Sequence, residues 1–280
     1  MGPLAAGLAL TAAVLHASWN ALLKANPDRF ATLAMIGAFG LIGGPILILI
    51  GGQPSAEAIP FLALSFLVHI GYNTFLLFAY RVADLSHAYP LARGSAPLLA
   101  TLGGVMLAGD HVSGLSAIGI VVICCGIVAI SMQFNVRELG WSGLGWPLAT
   151  GLMISAYTVI DGMGVRVAGS ELGYIGWLFV VDGLPFVIWC LVRERGLGVK
   201  RLMRVWKVGF LGGFMSLVAY GMVIYAMSLA AIGAVAAMRE TSVILAALFG
   251  TFLLKEPFGG RRILASVVVV LGVGLLYLGR

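Results

Sequence analysis

The chain has 280 residues, of which 61% are apolar and only 10% charged, and its mean hydropathy is +1.06. A soluble domain carries roughly 25% charged residues, so a water-facing surface is excluded and the chain reads as an all-α integral membrane protein. The net charge of +6 does not imply a nucleic-acid partner, because most of the basic residues fall in loops, where the positive-inside bias of a multispanning protein places them.

A helix needs about 20 apolar residues to cross a bilayer. Ten stretches qualify: 3–23, 30–50, 58–80, 87–108, 113–131, 143–165, 172–192, 205–228, 231–254 and 261–279. The first runs into the polar sequence HASWN rather than a small-residue cleavage site, so it is expected to be a retained helix and not a signal peptide. It carries His16, Trp19 and Asn20, and the third stretch carries His69, Tyr72 and Asn73. Both read His-x-x-aromatic-Asn, a spacing that sets all three side chains on one helical face. Two such faces suggest the lining of a shared cavity, the alternative being hydrogen bonds that only hold the bundle together.

The fourth stretch contains Tyr89, Pro90, Arg93 and Pro97. Each proline removes a backbone donor, and a helix broken at membrane depth is tolerated where it lines a cavity. A broken fourth helix is therefore expected, with Pro90 and Pro97 as hinges. Arg93 is placed to bind a carboxylate or phosphate, or to pair with an acid inside the membrane. Later stretches add Tyr157, Asp161, Asp182, Arg239 and Glu240. Ionisable groups at this depth are costly and mark function or a partner. Asp182 and Glu240 are the candidates for a proton site or an ion pair. Tyr157 and Asp161, one turn apart, join the candidate binding residues with Arg239.

Cys124, Cys125 and Cys190 lack metal-ligand spacing and read as packing residues. No phosphate-binding glycine loop or nucleophile motif is present, so neither enzymatic activity nor a cofactor or metal is expected. Gly40, Gly43 and Gly44, with Gly103 and Gly104, look like close-packing faces. The stretch 193–207, rich in Lys and Arg, is expected to be a solvated connector.

The chain also repeats itself. Ala88–Ile130 and Ala234–Leu276 align without a gap at an offset of 146 positions, pairing Arg93 with Arg239, Gly104 with Gly250, Gly126 with Gly272, and Asp110 with Glu256. Ten stretches make two sets of five, and an odd number of crossings inverts the second set. The expected architecture is ten transmembrane helices as two inverted five-helix repeats, 1–136 and 137–280, around a central cavity. With both termini outside, 13 of the 17 Lys and Arg residues fall in inner loops.

The spacing from Pro97 to Asp110, followed by Gly119 and Gly126, resembles the EamA-type domain of the drug/metabolite transporter superfamily. So does the second copy, with Val243 replacing the proline before Glu256 and Gly272, and so do the runs His16–Lys24 and Tyr157–Arg166. The resemblance implies alternating access around a central cavity. It also implies a small metabolite as partner besides the lipid bilayer, in a multi-pass protein of the bacterial inner (plasma) membrane. Family members include exporters of aromatic amino acids, and a polar-aromatic lining with Arg93 suits such a solute. Organic cations, phosphonates and a lipid-carrier flippase are the other readings. A functional monomer is expected, because the duplication supplies both halves of the cavity.

Overall fold

A computed structural model describes residues 1–82, 85–131, 140–193, 197–245, 248 and 260–279. Within them the chain forms eleven α-helices and one short 3-10 turn. They are α1 (Pro3–Ala25), α2 (Arg29–Gly51), α3 (Ile59–Val82), α4 (Leu85–Leu107), α5 (Gly114–Ser131), α6 (Gly140–Val167), α7 (Glu171–Arg193), α8 (Leu197–Arg204), α9 (Trp206–Leu229), α10 (Ile232–Arg239) and α11 (Gly260–Leu278). Six spans are long and apolar enough to cross a membrane: 3–25, 29–51, 56–79, 143–167, 171–192 and 206–229. Leu91–Leu107, Gly114–Ala129 and Ile263–Leu278 are shorter apolar helices. The protein is all-α and built for a bilayer.

Local chemistry sets the helix ends. Pro3 opens α1, where its missing N–H is not needed. Asn26, held extended before Pro27, closes it. Asp28 then caps α2 by accepting the Ala31 N–H at 3.1 Å. Helix α4 ends where the Ala108 and Asp110 N–H groups both reach Gly104 O at 3.0 Å. Gly109 has φ +68° there, a left-handed conformation that glycine adopts without penalty, and it turns Asp110 back toward the bundle.

Two seams bring helix backbones together. On α2 and α7, a Cβ added at Gly44 would lie 2.5 Å from Gly176 O, and one at Gly40 2.9 Å from Phe179 O. On α5 and α11, a Cβ at Gly119 would lie 2.8 Å from Gly272 O. With little hydrophobic drive between helices in lipid, such close approach is what dispersion needs. Around these seams α1 packs on α9, α3 on α6, and α4 between α5 and α6. Helix α10 lies against α4 and α1. The largest core cluster joins Ala5, Ala9 and Ala12 of α1 to residues of α4, α5, α9, α10 and α11.

Three expectations are corrected. The fourth helix is unbroken from Leu85 to Leu107. The break lies instead in its repeat mate, where α10 stops at Arg239 and helix resumes at 242. There the Thr241 N–H and hydroxyl both turn back to Met238 O, and the Val243 N–H to Glu240 O. These tightened bonds close the turn without a proline. The third correction concerns 193–207, where α8 forms within the expected connector. Its Leu202 is buried beside Ala34 and Cys190, and Arg201 grips Asp28 with two hydrogen bonds of 2.6 and 2.9 Å.

Candidate functional site

Two charged clusters of opposite sign lie inside the bundle. In the first, Glu240 at the break in α10 bridges two arginines. Its Oε2 is 2.9 Å from Arg93 Nε and its Oε1 accepts from Arg239 at 3.1 Å. The three side chains are at most 7% exposed. Arg93 also donates to His16 Nε2 at 3.0 Å. An arginine can only donate, so His16 accepts there and is neutral. Two cations against one carboxylate leave the cluster with an excess of one positive charge, and the Nε of Arg239 is buried without a hydrogen-bond partner.

The second cluster is anionic. Asp161 of α6 is fully buried and accepts from the hydroxyls of Tyr174 at 3.1 Å and Tyr220 at 2.8 Å. Asp182 of α7 lies 3.6 Å from His69 Nε2, and its Oδ1 has no hydrogen-bond partner. The opposite ring nitrogen of His69 is 2.9 Å from Ser65 O. Aromatic rings surround this cluster. His69 stacks on Tyr157 with centroids 4.2 Å apart, Tyr72 meets Tyr157 edge-on at 5.8 Å, and Phe179 meets Tyr220 at 6.2 Å. Tyr157 also meets Tyr220 edge-on at 6.5 Å.

The two His-x-x-aromatic-Asn motifs have parallel local structures and opposite partners. His16 sits edge-on to Trp19 at 5.2 Å and His69 edge-on to Tyr72 at 6.5 Å. Asn20 and Asn73 each donate to the carbonyl one turn back, on His16 and His69, at 2.7 and 2.8 Å. Their amides are thus engaged by their own helices. The histidines diverge, His16 serving Arg93 and His69 serving Asp182. Arg93 and Arg239 pair with Glu240, and Asp182 faces His69. Pro97 lies within the continuous α4. The side chains of Tyr89 and Pro90, and the whole of Glu256, fall outside the described residues. Sequence reasoning missed Tyr174, Tyr220, Ser65 and Phe179. The one available signal was Asp161 itself, which at full burial needed donors from somewhere.

One end of the bundle is closed by a polar latch. Asp110 Oδ1 pairs with Arg166 at 2.8 Å and its Oδ2 accepts the first N–H of α10, from Ile232, at 2.6 Å. Arg166 also donates to Met227 O and Ala230 O, both at 2.9 Å, in the last turn of α9. Nearby, Ser170 donates to Gly51 O at 2.7 Å and Ser55 to Val167 O at 2.7 Å. Ser113 donates to Gly279 O. These bonds tie segments of both expected repeats together. Away from either cluster, a shallow apolar groove lies between Ile244 and Leu248 and the α11 residues Ile263, Val267, Val270 and Leu271. It holds none of the ionisable residues.

Comparison with known proteins fits this picture. The crystal structure of a protein 18% identical to this chain superposes over 98% of it and 96% of that protein, with a TM-score of 0.71. At that identity the likeness speaks for the fold alone. No curated protein matches the sequence. The model of the EamA-like transporter family matches residues 141–278, the second of the two expected repeats. That stretch is similar to an EamA-like transporter domain, and it is set in an all-α chain whose described residues include six spans long and apolar enough to cross a membrane.

Proposed function

We propose that the protein is a secondary carrier that exports a small carboxylate-bearing metabolite, an amino acid with an aromatic or apolar side chain, across the bacterial inner membrane by alternating access. The observation that carries this reading is the excess positive charge of the Arg93–Glu240–Arg239 cluster. A buried, partnerless donor on Arg239 calls for an acceptor, and a solute carboxylate supplies both the acceptor and the missing negative charge. Trp19, Tyr72 and Tyr157 offer apolar faces for the side chain. His16, Asn20, His69, Asn73 and Asp161 complete the lining.

The architecture we propose is two inverted repeats, 1–136 and 137–280. Helix pairing supports it. If the first to fifth helices correspond to α6, α7, α9, α10 with its continuation, and α11, then α1 on α9 and α3 on α6 are mates. The glycine seams α2–α7 and α5–α11 then fall on the pseudo-two-fold axis. Such a pair suffices for a cavity, so the functional unit is a monomer, with both termini outside. Binding drives the cycle only through contacts that differ between its two states. The latch at Asp110 closes one end, and the break at Arg239–Glu240 is a place where the chain bends.

Counterflow in proteoliposomes tests the reading. Vesicles loaded with unlabelled phenylalanine are expected to accumulate labelled phenylalanine, and Arg93→Ala to reduce the rate at least tenfold in protein that still elutes as a single folded species. Unchanged uptake by the variant would overturn the role of Arg93. No exchange of aromatic or aliphatic amino acids by folded wild type would overturn the solute class and turn the search to phosphonates, organic cations and lipid carriers.

A further inference from the structure

We infer that His69 and Asp182 form a proton-binding pair that couples this carrier to a proton gradient. The inference rests on the carrier reading above and is derived from a different part of the molecule. It begins with the Nδ1 of His69, 2.9 Å from Ser65 O. A carbonyl oxygen only accepts, so Nδ1 carries the hydrogen. In the neutral ring Nε2 is then a bare lone pair, and it faces Asp182 Oδ2 at 3.6 Å. A lone pair opposite a carboxylate oxygen is repulsive unless a proton resides on one of them. The Ser65 carbonyl thus makes the pair a one-proton site, much as an outer hydrogen bond fixes the tautomer of a metal-binding histidine.

Charge balance leads to the same pair. Among the described residues, the interior holds two arginines (Arg93, Arg239) and three carboxyl groups (Asp161, Asp182, Glu240), with His16 neutral. Two positive and three negative charges cancel when one proton is held by one of these acids or by His69. An unbalanced charge at bilayer depth is expensive. The other two acids are poor carriers of a mobile proton. Glu240 is fully buried between two arginines, and Asp161 is fully buried under two tyrosine hydroxyls. Asp182 and His69 are 27% and 17% exposed, more than either of the other two acids. Asp182 faces His69 of α3 at 3.6 Å, with Asp161 of α6 and Tyr174 of α7 within electrostatic range. Helix α9 brings Tyr220, whose hydroxyl is committed to Asp161. Helix α2 has no titratable side chain after Arg29, and the cations of α8 lie at the end where Arg201 grips Asp28. In each cycle one proton binds between Nε2 and Oδ2 from one side and leaves to water on the other.

The test compares two modes of transport in the same proteoliposomes, with labelled phenylalanine as probe. Counterflow needs no net proton movement, whereas accumulation driven by an imposed pH gradient does. In wild type both are expected. In Asp182→Asn the ratio of gradient-driven accumulation to counterflow should fall at least tenfold, and Asp182→Glu should restore much of it. The proton assignment is overturned by an unchanged ratio in Asp182→Asn. It is equally overturned if wild type exchanges phenylalanine yet ignores the pH gradient, or responds to a sodium gradient instead. If folded wild type shows no counterflow, the failure belongs to the amino-acid reading. Proton uptake by the detergent-solubilised protein then decides the pair by itself. The double variant Asp182→Asn/His69→Gln should bind fewer protons per molecule than wild type on acidification, and no difference from wild type would refute the site.

Discussion

Glu240→Gln should be among the most damaging single changes in the protein. Glu240 is fully buried and holds Arg93 at 2.9 Å and Arg239 at 3.1 Å. The amide keeps the shape and removes the charge, so the local excess rises from one positive charge to two. Breaking a buried ion pair by removing one partner costs about 3–5 kcal/mol, because an uncompensated charge is left behind. For a chain of this size 1 kcal/mol moves the melting temperature by about 2–4 °C, so the expected drop is about 6–20 °C. Thermal unfolding in detergent, followed by the fraction remaining in the monodisperse peak, reads it out. The double variant Glu240→Gln/Arg239→Gln restores the original excess of one charge and should recover more than half of the loss. A single variant that melts within 3 °C of wild type, or a double variant no better than the single, would refute the charge argument.

Other parts of the structure give independent predictions. Gly44→Val puts side-chain atoms where Gly176 O lies and should cost about 1–3 kcal/mol by overpacking the α2–α7 seam. Gly7→Ala, with nothing near its added Cβ, should leave the melting temperature unchanged or higher. Asp110→Ala removes both the α10 cap and the Arg166 pair, so stability should fall by about 1–2 kcal/mol. A cysteine at Ala231 should then react faster with a water-soluble maleimide, and equal labelling with and without the substitution would argue against a latch. Asp28 lies outside the spans, and its hydrogen bonds to Arg201 hold its carboxyl below the usual carboxylate range. A depressed folded value means that the stabilisation is complete above the unfolded pKa of about 3.9. It is lost as pH falls through the lower folded value. Asp28→Asn should therefore be less stable than wild type by about 0.5–1 kcal/mol at pH 6, with the difference shrinking as pH falls below about 4, as urea titration of the detergent-solubilised protein would show.

Much of the fold was legible because the bilayer leaves the sequence few choices. Apolar runs long enough to cross it gave most helices within about two residues of their observed ends, as for α1, α2, α7 and α9. Gly40 and Gly44 marked a backbone seam because little else explains paired glycines within a span. The break in α10 was not legible. The sequence rule looks for proline, and Pro97 sits in an unbroken helix while the break falls at Arg239–Glu240, which tertiary ion pairing stabilises. Helix α8 was hidden by its cations, since a short polar stretch with Leu202 on one face reads as loop until its docking partner is known.

The site was half legible. Costly residues at membrane depth pointed to Arg93, Arg239, Asp161, Asp182 and Glu240, because each needs compensation wherever it lies. Which partner compensates which is a property of helix packing. Two motifs of the same pattern, His16-x-x-Trp19-Asn20 and His69-x-x-Tyr72-Asn73, end on an arginine and an aspartate respectively. Nothing in their spacing distinguishes them. Tyr174 and Tyr220 reach Asp161 from two other helices, and tyrosine in a membrane span ordinarily marks an interface.

The central claim is that a solute carboxylate completes the Arg93–Glu240–Arg239 cluster. The most direct measurement is counterflow of labelled phenylalanine in proteoliposomes challenged outside with three competitors of similar size. Phenylalanine and 3-phenylpropionate keep the carboxylate, and phenylalaninamide lacks it. The account predicts that both carboxylates compete and that the amide does so at least tenfold more weakly, with the difference collapsing in Arg239→Gln. Equal competition by the amide, in wild type that exchanges phenylalanine, would contradict it.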